Sequence, residues 1–260
     1  MNGSSNRSIA IARIFRRFNP VSAIVITVGG FIVANFVGAV VYIFIISVMG
    51  LDMNEAKRFQ DNVLVNFALS VVVYLSYLFI IKKFLNFNKL SLKSIGLKWT
   101  KVKWDTLLYI VGGFSVYFIC FLVITTLLKG VLPEEVFKQK QELGFETSTT
   151  GINLVAVFIS LVLLPAVVEE VAMRGFLYTG LRKKLNFWWS GLIVAVIFGV
   201  AHLQFGSGAP LLWIAAIDTF ILSWVLVYIR EKSDSIYPTI GIHALKNFFV
   251  FLALFVFHIA

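Results

Sequence analysis

The chain has 260 residues, of which 59% are hydrophobic and 14% are charged, and its formal net charge is +10. Soluble domains carry about a quarter charged residues, so this composition excludes a water-soluble globule and predicts an integral membrane protein. The basic residues lie in the links between apolar segments, so their excess indicates membrane topology rather than nucleic-acid binding.

Apolar segments long enough to cross a bilayer recur along the whole chain. A transmembrane helix needs roughly 20 apolar residues, whereas a transmembrane β-strand would be about ten residues long with alternating character. The segments here are long and uniformly apolar, which predicts an all-α, polytopic transmembrane helical bundle of about seven spans, with limits of six and eight. The predicted spans are Ser22–Val48, Val63–Phe84, Thr106–Leu128, Ile152–Val171, Phe187–Leu203, Leu211–Tyr228 and Ile236–His258.

The links between the predicted spans alternate in charge. Basic residues concentrate before the first span and then in every second link: Arg7, Arg13, Arg16 and Arg17; seven lysines from Lys82 to Lys103; Arg182, Lys183 and Lys184; and Arg230 and Lys232. This positive-inside pattern predicts a multi-pass protein of the cell membrane with a cytoplasmic N-terminus. After seven spans the C-terminus would lie outside.

Three local features add detail to this arrangement. The Pro-Glu-Glu run at residues 133–135 predicts a turn that enters a short amphipathic helix outside the membrane. Glycines and a proline at residues 206–210 predict a tight link between the fifth and sixth spans. Cys120 is the only cysteine and lies within a span, so it cannot form an internal disulfide and is interpreted as a packing residue.

Ionisable side chains inside the spans carry the functional signal. Each costs several kcal/mol in hydrocarbon, so it usually faces an interior cavity and marks function. In this chain they cluster in the second half: Glu169 and Glu170 at the end of the fourth predicted span, Arg174 just beyond it, His202 at the end of the fifth, and His243 with Asn247 in the seventh. The third histidine, His258, lies near the C-terminus, where a polar anchor at the interface is the simpler interpretation.

Helical spacing separates the two adjacent glutamates. Glu170 and Arg174 are four residues apart with the acid first, which is the favourable order for an ion pair on one helix face. Glu169 lies about 100° around the helix from Glu170. We therefore expect Arg174 to hold Glu170 and to leave Glu169 free to act on something else.

A free carboxylate with two imidazoles and an amide favours hydrolysis. Glu169 can take a proton from water as a general base, and a histidine can orient that water or protonate the leaving amine. His243 and Asn247, which share a helix face, can donate hydrogen bonds to the developing oxyanion. Alternatively, Glu169, His202 and His243 can bind a divalent metal such as zinc, because two histidines and a carboxylate form known catalytic zinc sites.

Three short motifs lie in order, on separate predicted spans, between about Leu154 and Phe251. They read Glu169-Glu170-Val-Ala-Met-Arg174-Gly175, Phe198-Gly-Val-Ala-His202 and His243-Ala-Leu-Lys-Asn247. In each of the last two, the first and last residues are four apart and share a helix face. Together the motifs resemble the CPBP family, which comprises the CAAX prenyl proteases and bacteriocin-processing enzymes and is also called the Abi family.

The resemblance implies an intramembrane endopeptidase of the CAAX-protease type. By motif position it implies catalytic roles for Glu169, His202, His243 and Asn247, and supporting roles for Glu170 and Arg174. Both a metal-dependent mechanism and a glutamate mechanism without metal are proposed for the family, so the cofactor stays open. The resemblance also divides one integrated membrane domain into N-terminal helices and links, residues 1–150, and a catalytic helical bundle, residues 151–260.

We therefore expect hydrolysis, within the lipid bilayer, of a peptide bond in a membrane protein or a small peptide, with bacteriocin processing or self-immunity as a biological role. One alternative is a non-catalytic membrane regulator or immunity protein that binds a membrane partner such as a sensor kinase. Another is a proton-coupled transporter that uses the carboxylates as a relay. The transporter is the least favoured, because the first three spans have few polar residues and no repeat is evident.

The predicted span boundaries conflict with one shared site. Glu169 would end its span at the cytoplasmic side, whereas His202 would end the next span at the opposite side. A kink at Pro165, or wrong boundaries within residues 181–211, would bring both side chains to one depth. Taken singly, His202 is also compatible with an interior packing role and Asn247 with an interhelical hydrogen bond.

Overall fold

The computed structural model describes residues 17–98, 104–139, 144–205 and 210–259. Some residues singled out above lie outside these ranges: Arg7, Arg13 and Arg16 of the N-terminal basic cluster, Lys101 and Lys103 of the basic link, and Gly206 and Gly208 of the tight link. The described residues form helices and their links, and no β-strand occurs among them.

The helices follow the predicted spans closely. In chain order they are α1 (Pro20–Met49), α2 (Met53–Asp61), α3 (Val63–Phe87), α4 (Trp104–Leu128), α5 (Glu134–Phe137), α6 (Gly151–Arg182), α7 (Phe187–Ala201), α8 (Trp213–Ser233) and α9 (Tyr237–Val256), with a 3₁₀ turn at Leu92–Ile95. Six of them, α1, α3, α4, α6, α8 and α9, are long and apolar enough to cross a bilayer, and α7 is a shorter apolar helix. The prediction of an all-α polytopic bundle of about seven spans is confirmed.

Polar residues mark where the first helices begin and end. Asn19 caps α1, because its side chain accepts from the Ser22 amide while the Ser22 hydroxyl accepts from the Asn19 amide. Asp52 and Glu55 form the same reciprocal capping box at α2. Gly50 ends α1 with a φ of 66°, in the left-handed region that glycine adopts without strain. These residues fix a tight turn between α1 and α2.

The fourth span is longer than predicted. Its expected end was Val171, but α6 continues to Arg182 and has 32 residues. The charges near Glu170 suggested an end at the membrane surface, yet the Glu170 and Arg174 side chains are fully buried and neutralise each other. Because the charge is compensated internally, the helix continues through the apolar interior. The other predicted span boundaries agree with the structure to within five residues.

Two π-helical stretches interrupt α6, at Ile159–Leu163 and Val171–Leu177. Pro165 follows the first stretch, and without an N–H it cannot donate to the carbonyl four residues earlier, that of Leu161. The α-helical segment between the stretches, Leu164–Glu170, carries both glutamates. π-helical turns are rare and often occur at functional sites, and here they flank the two acids.

The N-terminal helices form part of the same bundle as α6. One side of α6 contacts α1 and α3, and the other contacts α7, α8 and α9. The Phe18 ring stacks on Phe176 with centroids 4.9 Å apart. Gly180 permits the close approach of α6 to α1, since a Cβ there would lie 2.4 Å from the Ala23 Cβ. The core therefore spans both halves of the chain.

Three basic links lie together at one end of the bundle, which we call the basic end. Lys98, after α3, pairs with Asp234, after α8. Arg182, at the end of α6, pairs with Glu231 of α8 at 2.7 Å. Hydrogen bonding by Lys98 lowers the pKa of the Asp234 carboxyl, which lies outside the spans. The links that the charge pattern groups together are thus neighbours in space.

The less basic links meet at the opposite end of the bundle. The predicted short helix after Pro133 is present there as the single turn α5. Gln139 donates a hydrogen bond to the Leu211 carbonyl at 2.9 Å, and Asn66 donates to the Gly144 carbonyl at 3.2 Å. Gln139 is therefore held against the start of α8, and Gly144 against the start of α3.

Candidate active site

Glu169 and His202 lie at the same depth in the bundle. A short turn at the basic end, between Arg182 and Phe187, joins α6 and α7. Glu169 lies 13 residues before that end of α6, and His202 lies 15 residues after the start of α7. At 1.5 Å per residue these separations are about 20 and 22 Å. The conflict in depth disappears because α6 extends beyond its predicted end.

Glu170 and Arg174 form a fully buried ion pair. The Arg174 Nη1 donates to Glu170 Oε1 at 2.7 Å, so the contact expected from their four-residue spacing is present. The guanidinium also lies over the Phe198 ring, 4.6 Å from its centroid, which is a cation–π contact. Each charge is thus compensated by a neighbour, and removal of one partner would leave the other charge unpaired in the interior.

Glu169 has a different environment from its neighbour in sequence. Its side chain is 22% exposed, against 0% for Glu170. Oε1 accepts a hydrogen bond from the Tyr74 hydroxyl of α3 at 3.4 Å. Oε2 has no hydrogen-bond partner among the described residues. Glu170 Oε2 likewise has no hydrogen-bond partner among the described residues, so the two glutamates differ in their exposure and in the Arg174 ion pair that holds Glu170.

His243 connects the two glutamates. Its Nδ1 lies 3.0 Å from Glu170 Oε1, and its Nε2 lies 3.9 Å from Glu169 Oε2. Because the ion-paired Glu170 carboxylate only accepts, the Nδ1 of His243 carries the proton between them. The separation of 3.9 Å is too long for a direct hydrogen bond, and a water molecule can bond to both atoms.

His202 follows the last residue of α7, and two contacts orient its ring. Nδ1 lies 2.8 Å from the Phe198 carbonyl oxygen. Since a carbonyl only accepts, Nδ1 carries the proton and the neutral ring has its lone pair on Nε2. The His202 and Phe198 rings meet edge to face with centroids 4.7 Å apart, so the expected shared face is observed.

Asn247 has a structural contact in addition to its place at the cavity. Its Nδ2 donates to the Leu161 carbonyl at 3.1 Å, which is the carbonyl to which Pro165 cannot donate. The side-chain amide has two N–H groups, so one is used by this contact and one remains for a ligand. The interhelical hydrogen bond considered from the sequence is thus present.

The four residues with implied catalytic roles line one cavity of about 290 Å³: Glu169, His202, His243 and Asn247. They come from α6, from the end of α7 and from α9. His258 is exposed and does not line this cavity. The arrangement surrounds one space with a carboxylate oxygen, two imidazoles and an amide, which is suited to water activation and to stabilisation of a negatively charged oxygen.

Several polar residues at or beside the cavity were not identified from the sequence. Tyr74 gave no signal, because a lone tyrosine in an apolar helix is typical of packing. Ser160 lines the cavity, and its hydroxyl has no hydrogen-bond partner among the described residues. Lys246 lines it too and pairs with Asp218 at 2.9 Å, to which the Tyr117 hydroxyl also donates. Both charges lie inside spans, so the criterion that identified Glu169 also applies to them.

The metal site considered as an alternative needs three donors around one point. Among the described residues, no three His, Cys, Asp or Glu side chains lie close enough to hold a metal ion. The donors as arranged do not fit a metal, and the mechanism below uses none.

The part of the chain that holds these residues is similar to a known protein family. Residues 151–249 match the family model described as type II CAAX prenyl endopeptidase Rce1-like. We call residues 151–249 the Rce1-like region after this match, which covers under half of the chain. The Rce1-like region begins with α6 and contains all four residues, from Glu169 to Asn247. At the family level it indicates an intramembrane CAAX-type protease, and it bears out the resemblance to the CPBP family.

The likeness to one curated protein is wider than the Rce1-like region. The chain is 26% identical over 243 residues to the uncharacterized protein YyaK of Bacillus subtilis (strain 168), which covers 88% of this chain and 75% of YyaK. The alignment therefore includes N-terminal helices as well. No solved structure matches the chain significantly.

Proposed function

We propose that the chain is an intramembrane endopeptidase in which Glu169 activates a water molecule to hydrolyse a peptide bond. The observation that carries the proposal is the contrast between adjacent carboxylates. Glu170 is fully buried, is ion-paired with Arg174 and does not line the cavity, whereas Glu169 is 22% exposed and lines the cavity together with two histidines and an amide. The Rce1-like match supports proteolysis at the family level.

The reaction begins with a water molecule bonded to Glu169 Oε2 and His243 Nε2, which are 3.9 Å apart. Glu169 takes one proton from this water as a general base. The water oxygen then attacks the carbonyl carbon of the substrate, whose C=O π electrons move to the oxygen. The Tyr74 hydroxyl, which donates to Oε1, orients the carboxylate so that Oε2 receives the proton.

His243 and Asn247 stabilise the resulting oxyanion. His243 takes part as the imidazolium, protonated from solvent before the substrate binds, so Nδ1 donates to Glu170 and Nε2–H donates first to the water oxygen and then to the oxyanion. The Asn247 N–H that is not bonded to Leu161 is a second donor. Removal of one such donor typically lowers kcat by about 10²–10³. When the intermediate collapses, the C–N bond breaks and the leaving nitrogen takes the proton from Glu169, directly or through Nε2 of His202.

The decisive experiment compares peptide termini in membrane fractions of cells that contain the native protein, Glu169→Gln or Glu135→Gln at matched levels. Glu135 is exposed in α5, so its substitution removes one acid without changing the cavity. Because loss of a general base lowers the rate by about 10²–10⁴, termini made by the native protein and by Glu135→Gln should disappear with Glu169→Gln. Turnover retained by Glu169→Gln would remove Glu169 as the base.

The same termini name the substrate, which we propose to be a membrane-associated or small peptide in bacteriocin processing or self-immunity. Identical termini in all three strains, with a phenotype that persists in Glu169→Gln, would favour the non-catalytic alternative. That alternative is a regulator or immunity protein bound to a membrane partner such as a sensor kinase. For the orientation, we propose a cytoplasmic N-terminus and an external C-terminus in the cell membrane.

A further inference from the structure

The cavity lies toward the end of the bundle that is opposite the basic end. Ser160 and Phe255 both line the cavity. Ser160 lies 22 residues from the basic end of α6, and Phe255 lies 18 residues from the basic end of α9. These separations are about 33 and 27 Å of helix. Phe145, which also lines the cavity, belongs to the link between α5 and α6 at the opposite end. No described residue of the basic links lines it.

Packed side chains separate the cavity from the basic end. Beyond Arg174, toward the basic end, three residues from different segments are fully buried: Ile95, Phe176 and Ile236. Gly175 seats α6 against the 3₁₀ turn, since a Cβ there would lie 3.2 Å from the Ile95 carbonyl oxygen. Arg230 is 7% exposed and donates to the Arg174 carbonyl at 3.3 Å. Among the described residues, this packed layer separates Glu169 from the basic end.

The walls toward the opposite end are apolar and aromatic. Phe251 and Phe255 stack with centroids 5.4 Å apart, and Phe145 packs against the cluster that contains them. Deeper in the cavity the lining becomes polar, with Glu169, His202 and His243. A ligand that enters from this end therefore meets apolar surface before it reaches the carboxylate.

We propose that the active site is loaded from the external face of the membrane, through the end opposite the basic links. The basic end faces the cytoplasm by the positive-inside pattern, so the cavity faces outward. Its substrate is then the apolar segment of a peptide that has already left the cytoplasm, either exported or anchored with an external end. Hydrolysis of that peptide rests on the proposed function, whereas the access route does not.

Single cysteines test the route in intact cells. Cys120 is the only native cysteine, so a Cys120→Ala background is free of thiols. Ser70→Cys reports on the cavity. Two exposed positions report on the two faces: Ser94→Cys at the basic end, and Ser148→Cys in the link before α6. The probe is a small, charged, membrane-impermeant methanethiosulfonate, applied before and after permeabilisation.

We expect Ser70→Cys and Ser148→Cys to react in intact cells and Ser94→Cys to react only after permeabilisation. Protection of Ser70→Cys until permeabilisation, in parallel with Ser94→Cys, would overturn the proposal, as would reaction of Ser94→Cys in intact cells. Failure of Ser70→Cys to react from either face, when both controls react, would overturn it as well. Ser160→Cys repeats the test if the first cavity variant does not fold.

Labelling requires no turnover, so it separates the route from the chemistry. If Glu169→Gln retains proteolysis but Ser70→Cys reacts from outside, the catalytic assignment fails and the access route stands. If Glu169→Gln abolishes proteolysis but Ser70→Cys reacts only from the cytoplasm, the access route fails and the catalytic assignment stands.

Discussion

Two adjacent glutamates differ because neighbouring positions on a helix face different surroundings. Glu170 meets Arg174 at 2.7 Å and His243 at 3.0 Å. Glu169 lies about 100° around α6, where its carboxylate meets the Tyr74 hydroxyl at 3.4 Å and a histidine nitrogen at 3.9 Å. Glu170 thereby orients His243, and Glu169 keeps an oxygen for a ligand.

Tyr74 gives the sharpest test of how Glu169 is held. Tyr74→Phe removes the hydrogen bond to Oε1 but keeps the ring, so the carboxylate should lose orientation while the fold persists. A hydrogen bond contributes about 1 kcal/mol, and an equal loss from the transition state lowers kcat by about fivefold. The measurement is kcat on the peptide that the comparison of termini identifies.

Tyr77 provides the matched control in the same helix. Its hydroxyl donates to the Thr27 carbonyl at 2.8 Å, and Tyr77 does not line the cavity. Tyr77→Phe should lower the midpoint of thermal unfolding and leave kcat unchanged. If both variants lowered kcat equally, the Tyr74 hydroxyl would have no specific part in positioning Glu169.

The sequence predicted the residues that lie within motifs and missed those that reach the cavity from elsewhere. Glu169, His202, His243 and Asn247 share one cavity, as the family resemblance implies, although the predicted span boundaries place Glu169 and His202 at different depths. Tyr74 lies 95 positions away from Glu169, and no periodicity within α3 distinguishes it from a packing residue. Contacts between distant spans depend on how helices pack, which one sequence does not encode locally.

At the scale of the helix, Pro165 sets the shape of α6 around the site. It denies the Leu161 carbonyl its usual donor, and Asn247 supplies a replacement at 3.1 Å. Pro165→Ala restores the N–H, which would compete with Asn247 and allow the π-helical stretch Ile159–Leu163 to become α-helical. That change would turn the Ser160 wall of the cavity relative to Glu169.

We expect Pro165→Ala to reduce kcat without lowering the midpoint of thermal unfolding, because the helix gains a backbone hydrogen bond. Pro20→Ala is the control, since Pro20 lies in the first turn of α1, where no intrahelical partner is lost. Thermal unfolding in detergent and kcat, measured together, distinguish the outcomes. Full activity in Pro165→Ala would show that the proline is not needed for the geometry of the site.

The ion pair within α6 explains how a charged segment can continue through the membrane. Arg174→Met leaves the Glu170 carboxylate buried without its partner, and loss of one member of a buried pair costs about 3–5 kcal/mol. The folded yield and the midpoint of thermal unfolding should fall accordingly. The double variant Glu170→Gln/Arg174→Met should recover most of that loss, because no uncompensated charge remains.

A second pair in the bundle serves as the comparison. Lys246 and Asp218 are 2.9 Å apart, but their side chains are 18% and 15% exposed, so Lys246→Met should cost less than Arg174→Met. Native stability of Arg174→Met combined with lost activity would assign the arginine to the chemistry instead of to the fold.

At the scale of the whole molecule, the sequence predicts properties that are sums over a segment, such as its hydropathy and charge. It does not predict properties that depend on contacts between segments. Span number and the alternation of links follow from hydropathy and charge summed over about 20 residues. The true end of α6 did not follow, because a hydropathy sum treats Glu170 and Arg174 as isolated charges. The sequence predicts only a polar link at Leu92–Ile95, where the structure has a 3₁₀ turn. The packing of Ile95 against α6 depends on Gly175, which the sequence pattern does not reveal.

The bundle also predicts that the Rce1-like region does not work alone. Phe18 and Ala23 of the N-terminal part pack against α6, and Tyr74 supplies a hydrogen bond to Glu169. A chain divided between Lys138 and Gln139, in the link before α6, breaks no helix. Residues 139–260 expressed alone should therefore be inactive and poorly folded, since α6 would lose one of its packed sides.

Co-expression of residues 1–138 with residues 139–260 should restore cleavage, because long apolar helices insert individually and then associate. The measurement is the set of peptide termini that depends on Glu169, compared for each fragment, for both together and for the intact chain. A Glu169→Gln substitution in the second fragment is the control that ties restored cleavage to this site. Cleavage by residues 139–260 alone would mean that α1 and α3 are dispensable, and that the hydrogen bond from Tyr74 has no role in the reaction.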